Sequence, residues 1–322
     1  MEDELLIQHV VQTTMKQMMN TIEIQHEPIT HLVLSGGGIC GFYMYGALLK
    51  LQEQGVFHMD NIKTIYATSV GAIFAIMMAM KFEWTTYTDY IVKRPWEKVY
   101  NVDIYHLMNA YDQCGIFNKK FIQILFEPFF KAKDMELNIT LGEFYKQTNI
   151  EIHMFVTELN EFKQIDISHT THQDWEVLDA VYASCCLPIV FRPHIIKEKC
   201  YIDGCFFSNY PISQCLESIG EKNSHRILGI FIDTQSKKQN AEINEENNTN
   251  IFDYLFIIMQ KFINHRILMN QKKNIQYHLD LHVIPSTLNI IDELVRDSKL
   301  RKKAIEMGET QALEYIKNIF IL

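Results

Sequence analysis

The chain reads as an α/β protein built on a mostly parallel sheet, and three observations predict it. Two β-branched apolar runs, His31 to Leu34 and Thr64 to Ala67, each end in a short glycine-containing turn followed by a helical pattern. Glu151 to Glu158 is a further apolar run of strand length. Ile227 to Ile232 is apolar throughout, the pattern of a strand covered on both faces.

The elements follow in order. Leu5, Leu6, Val10, Val11, Met15, Met18 and Met19 make residues 4–19 an amphipathic helix, so 1–27 is expected to be a helical extension. The alternation then runs strand from His31, helix from Phe42 to Gln54, strand from Thr64, and helix from Val70 to Met80. Short helices are expected between about 85 and 133. Phe162 to Ile167 pairs with the preceding strand across Leu159-Asn-Glu161, and Trp175 to Ser184 is a helix opened by Asp174. The core is therefore expected over 28–233. Residues 234–250 are polar and read as a flexible loop, and 251–322 as a helical region packed on the core, helical by pattern over 251–278 and 290–319.

Composition narrows the function. At 322 residues and 48% apolar the chain holds ample material for a buried core. A net charge of −9 argues against a nucleic-acid binder, which needs a basic surface for phosphates. The seven cysteines are odd in number and form no C-x-x-C pair, so neither a disulfide framework nor a zinc site is expected. Met1-Glu-Asp-Glu4 lacks the basic start of a signal peptide, and the longest uncharged apolar run, Gly71 to Met80, is too short to cross a bilayer. These features predict an intracellular, cytoplasmic protein, soluble or peripherally attached to membrane.

Chemistry concentrates at two turns. In SGGGICG, Ser35 to Gly41, glycine lets backbone N–H groups converge on an anion at a helix start, as in an oxyanion hole. Gly36, Gly38 and Gly41 also satisfy the dinucleotide fingerprint, but that fold wants an acid at the end of the next strand. Here the strand ends in Thr68-Ser69, while Glu53 and Asp60 precede it, so no nucleotide cofactor is expected. In ATSVG, Ala67 to Gly71, Ser69 stands at a sharp strand-to-helix turn, the geometry of a nucleophile elbow. A serine there is by itself an ordinary helix cap. Small neighbours Ala67 and Gly71, the glycine cradle upstream, and the Asp203-Gly204 turn after Tyr201-Ile202 together favour a nucleophile.

Glycine-rich turn, serine elbow and D-G in YIDGCFFSNYP, in that order, resemble the patatin-like phospholipases. TLGEFYKQTNIEIHMFVTELN (140–160), ASCCLPIVFRP (183–193) and Asn209-Tyr-Pro211 match the same family, and the resemblance spans about 28–233. It implies a three-layer α/β/α sandwich. It implies Ser69 as nucleophile, Asp203 as its partner in a dyad, and an oxyanion hole from Gly36, Gly37 and Gly38. The implied activity is phospholipase A type hydrolysis of a lipid ester through an acyl-Ser69 intermediate, with no metal or cofactor. Ala67 and Cys205 stand where the family usually has glycine, and glycine or alanine, which leaves a catalytically silent lipid-binding or interaction protein as the alternative, with a dinucleotide-binding oxidoreductase a distant third. Among thirteen histidines, His194 is the best candidate for a triad, while His31 merely opens a strand. Cys185-Cys186 reads as packing. KKFIQILFEPFFKAK, 119–133, interleaves lysines with aromatics, as either a membrane-contact stretch or a core or lid helix. Arg296, Lys299, Arg301, Lys302 and Lys303 read as a solvated helix face.

Overall fold

A computed structural model describes residues 27–100, 111–234, 251–269, 275–283 and 293–320. The expected helix at 4–19 and the polar stretch at 235–250 lie outside them.

The fold is a mixed α/β architecture around one mostly parallel sheet. Strands β1 (His31–Leu34), β2 (Thr64–Thr68) and β4 (Glu151–Glu158) pair in parallel, and β9 (Ile227–Asp233) joins the other edge of β1. β5 (Lys163–Ile167) returns antiparallel along β4, β8 (Lys199–Asp203) pairs antiparallel with the end of β4, and β7 (His194–Ile196) pairs with β8. β3 (Gly115–Phe117) and β6 (Ile189–Phe191) form a separate two-stranded sheet.

Strand alternation sorts the apolar side chains into two layers. Leu32, Leu34, Ile65 and Met154 face the main core with helices α1 (Gly41–Glu53), α2 (Val70–Ala79) and α6 (Val177–Cys185). Val33, Tyr66 and Phe155 face the other way, against Ile212, Cys215 and Leu216 of α8 (Ile212–Ile219). Helices thus flank both faces of the sheet.

The C-terminal region departs from expectation. Helix α9 ends at Met269 (Ile251–Met269), and Tyr277–His282 forms strand β10, parallel to β9 at that edge of the sheet. Its YHLDLH sequence alternates: Tyr277, Leu279 and Leu281 are buried. That period-two pattern overrides the helical reading, so the sheet continues beyond residue 233. Helix α10 (Ser298–Phe320) then crosses α1 at close range. A Cβ on Gly46 would sit 2.0 Å from the Ile305 carbonyl oxygen, and one on Gly308 2.0 Å from that of Tyr43. The two backbones approach only because both positions are glycine.

Arg301 corrects the solvated-face reading. It is 2% exposed, its guanidinium donating to the carbonyls of Leu294, Val295, Val92 and Arg94 at 2.7–3.1 Å. A buried cation persists where its charge is hydrogen-bonded, and four backbone carbonyls accept from the two terminal nitrogens, while Nε has no partner among the described residues. Arg296, Lys299, Lys302 and Lys303 are exposed as expected.

The 119–133 stretch is also corrected. In α4 (Lys120–Ala132), Ile122, Leu125, Phe126, Phe129 and Phe130 are buried in the core, and Lys119 is held by Glu176 at 2.6 Å and Asp179 at 2.8 Å. Phe126, Phe129 and Phe130 are buried and Phe121 is half-buried against the core, so the core-helix reading holds and the membrane-contact reading does not.

Candidate active site

Two strands meeting end to end create the site. On one edge of β4, β2 pairs as far as Thr68 opposite Phe155, and β8 takes over with Asp203 opposite the next residue, Val156. β2 and β8 run toward each other, so the residue leaving β2, Ser69, faces the last residue of β8. Ser69 Oγ donates to Asp203 Oδ2 at 2.6 Å. The strand-turn-helix sequence puts Ser69 at φ 56° and ψ −124°, a strained conformation for a side-chain-bearing residue. It is the sharp turn the sequence predicts.

The surrounding hydrogen bonds hold this turn. The Ser184 hydroxyl accepts from the Ser69 N–H at 2.9 Å and donates to the Phe155 carbonyl at 2.8 Å, filling the gap where β2 leaves β4. Thr157 Oγ1 donates to the Asp203 carbonyl, and Thr68 Oγ1 to the Ser208 carbonyl, at 2.9 and 2.8 Å. Gly204, before the short helix α7 (Cys205–Ser208), cannot carry a Cβ, which would lie 2.2 Å from the Phe155 carbonyl oxygen. Gly41 opens α1 and Gly71 lies in the first turn of α2, where the Leu34 carbonyl crowds it.

Asp203 is 1% exposed, and burial pushes its carboxyl up to about 6, against the hydrogen bonds from Ser69 and Cys205. The Cys205 N–H donates to Oδ1 at 2.9 Å. The carboxylate is therefore oriented on both oxygens.

The glycine cradle lies beside it. Ser35 Oγ accepts from the Ile232 N–H and donates to the Gly36 carbonyl, at 2.9 and 3.0 Å, anchoring the start of the loop. A Cβ on Gly36 would meet Asn209 Oδ1 at 2.3 Å and Ser69 Cβ at 3.2 Å. Gly38, at φ +54°, opens a short 3-10 turn that leads into α1. The Gly36 N–H donates to the Asn209 carbonyl at 2.8 Å, which corrects the expected trio of donors. Gly37 and Gly38 keep N–H groups without a partner among the described residues, at the N-terminal end of a helix.

Ser69, Asp203 and the cradle share a cavity of about 320 Å³ whose other walls are mostly apolar, including Phe42, Phe74, Met77, Trp96 and Leu125, with Asn209, Thr234 and Gln260 as polar exceptions. Its size and lining suit an apolar ligand with a few polar groups at one end. Among the described residues no histidine, lysine or arginine lines it. His194 instead places Nε2 2.8 Å from Asp179 Oδ1 and packs edge-on against Tyr182, away from this lining. The histidine of a triad is not brought to Ser69. Ala67 is fully buried between Leu34 of β1 and Met154 of β4, so its methyl is core packing in a strand. Cys185 and Cys186 are buried, with Cys185 in the cavity wall.

Sequence reasoning misses Ser184, although the ASCCLP segment contains it. Its hydroxyl is expected to position the elbow. Ser184→Ala leaves a buried N–H and a buried carbonyl unpaired, a loss of about 1–3 kcal/mol. A thermal melt checks it: an unchanged melting temperature removes Ser184 from this role.

A family model described as Patatin-like phospholipase matches residues 32–216. The chain is similar to Probable lipid hydrolase 463L of Invertebrate iridescent virus 6, 25% identical over 214 residues, covering 65% of this chain and 72% of the relative. It is also similar to Uncharacterized protein R571 of Acanthamoeba polyphaga mimivirus, 23% identical over 276 residues, covering 80% of this chain and 90% of the relative. Among solved structures, that of VipD from Legionella pneumophila shares the fold, with a TM-score of 0.52 and 16% identity over 91% of this chain and 67% of that one.

Proposed function

This chain belongs to the patatin-like phospholipase family, and from that premise we propose that it is a serine lipid acyl hydrolase of the phospholipase A type. The observation that carries the reading is the 2.6 Å hydrogen bond from Ser69 Oγ to a buried carboxylate in an apolar cavity. Ser69 Oγ attacks the ester carbonyl carbon while Asp203 Oδ2 takes its proton. The oxygen that gains charge is held by the N–H groups of Gly37 and Gly38. As the tetrahedral centre collapses, Asp203 returns the proton to the departing alcohol oxygen and leaves acyl-Ser69. Water then repeats the sequence, giving its proton to Asp203 and its oxygen to the acyl carbon, and Ser69 is restored.

The balance of effects supports this assignment. An aspartate at its usual pKa of about 3.9 is a weak base for a serine hydroxyl, and the shift of Asp203 to about 6 brings it closer to working pH. Each oxyanion donor is typically worth about 10²–10³ in rate, so two offset part of the remaining weakness. The apolar walls accommodate an acyl chain, and the absence of cationic lining residues among those described favours a charged headgroup outside.

The test is fluorophosphonate labelling of the full chain, peptide mapping of the adduct, and product analysis over a panel of lipid esters. Ser69 is expected to carry the label, with free fatty acid and a lysolipid as products. Turnover persists in excess chelator, since nucleophile, base and oxyanion donors all come from the chain. Lipid retention without labelling or product would instead establish the silent lipid-binding alternative.

A further inference from the structure

Helix α9 carries apolar side chains on two opposite faces. Phe256, Gln260 and Ile263 line the cavity that holds Ser69. On the other side Ile251, Tyr254, Leu255, Ile258 and Phe262 stand 44–62% exposed. Their spacing of three and four residues puts all five in one stripe. Single exposed apolar residues are ordinary on a protein surface, but a contiguous stripe of five on one helix marks a contact surface. Lys261 and His265 are exposed on the same helix. In a chain of net charge −9, the sequence of this helix, 251–269, bears Lys261 and Arg266 against Asp253 alone.

We propose that the outer face of α9 is the surface by which the protein seats on an anionic lipid bilayer. Apolar side chains beside basic ones match the boundary between acyl chains and negative headgroups. Continuity with the cavity supports the choice of lipid over another protein. A helix is only about 10–12 Å across, so one helix separates the seated membrane from the pocket wall. An acyl chain leaving the bilayer beside α9 reaches the cavity without a long passage through water. This inference rests on the lipid-hydrolase reading, and it moves membrane contact from 119–133, where the aromatics are buried, to 251–262.

The experiment uses the full chain, sedimented with phosphatidylcholine vesicles with and without phosphatidylserine, and compared with Ile258→Ser/Phe262→Ser and with Lys261→Glu. Both changes lie on exposed positions, so the melting temperature is expected to stay put. The double variant should lose about tenfold or more in partitioning, since each side chain withdraws an apolar group from the bilayer. Lys261→Glu should weaken binding to the anionic vesicles and leave the weaker binding to neutral ones unchanged. Hydrolysis of a soluble short-chain ester and fluorophosphonate labelling should be unaffected in both, while hydrolysis of vesicle phospholipid falls. Vesicle binding that persists undiminished in the double variant overturns the proposal. So does a wild-type dimer that the double variant converts to monomer with no change in lipid binding, which would assign the face to a second copy. If the wild type hydrolyses no soluble ester yet sediments with anionic vesicles through α9, the enzymatic reading fails and the docking surface stands.

Discussion

Ser69→Ala is expected to eliminate ester hydrolysis and fluorophosphonate labelling, with kcat/KM falling by roughly 10⁴–10⁶. In the proposed mechanism the hydroxyl forms the covalent bond; the Cys205 thiol also meets Asp203, but it is fully buried and pushed well up, chiefly by that burial, so it is a poor substitute nucleophile. Stability should respond in a way that separates chemistry from folding. Alanine removes the hydrogen bond to Asp203 yet keeps the positive φ of 56°, so a modest loss of about 1 kcal/mol is expected. Ser69→Gly is equally inactive but relieves a backbone strain of about 1–3 kcal/mol. Its melting temperature should therefore exceed that of Ser69→Ala. Turnover in Ser69→Ala within tenfold of the wild type would sink the nucleophile assignment. A glycine variant less stable than the alanine one would show that the elbow is unstrained.

What the sequence disclosed follows from locality. The cradle and the elbow are each a strand, a turn and a helix within a dozen residues, so glycine placement and apolar runs suffice to find Ser69 and the 36–38 loop. Asp203 is visible only as an acid before a turn. What joins it to Ser69 is the head-on meeting of β2 and β8 on β4, a pairing between segments far apart in the chain. Ser184 and Asn209 are illegible as functional groups for the same reason. One is a hydroxyl in the last turn of an apolar helix, the other holds Gly36 through its backbone carbonyl and its side-chain amide, and both uses depend on contacts with segments far away in the chain. The commitment of the Gly36 N–H to Asn209 cannot be read from a run of three identical glycines.

Errors about faces have a common origin. A periodic pattern shows that one side of a helix is apolar, not what covers it. The α4 segment and α9 both alternate aromatics with basic residues, yet α4 turns its aromatics into the core and α9 leaves one stripe outside. Arg301 sits in a run of cations that is solvated elsewhere. It is buried because the backbone carbonyls at 92, 94, 294 and 295 converge on its guanidinium. β10 is concealed by length: six alternating residues after a polar segment make a short signal beside the longer helical patterns on either side.

Asp203→Asn should abolish catalysis and stabilise the fold, two opposite effects from one carboxyl. The amide keeps the shape of the side chain but cannot take the Ser69 proton, so turnover is expected to fall by about 10⁴ or more. In the wild type the base must be ionised, and with its pKa at about 6 activity should rise through that pH and level off above it. The linkage has the opposite sign for stability. The folded-state pKa lies above the unfolded value of about 3.9, so the protonated form is the one that folding favours. Its contribution is fully present below about pH 4 and is lost as pH rises through about 6, where the native state must hold a buried charge. The gap between the folded and unfolded values corresponds to up to about 3 kcal/mol. An asparagine side chain bears no charge at any pH, so the Asp203→Asn variant should melt higher than the wild type at pH 8, with the difference closing toward pH 4. Denaturant or thermal melts of both proteins across that range, run beside a pH profile of kcat/KM, make the comparison. A wild-type activity limb near 6 together with melts that stay parallel at every pH would place the titrating base on another residue.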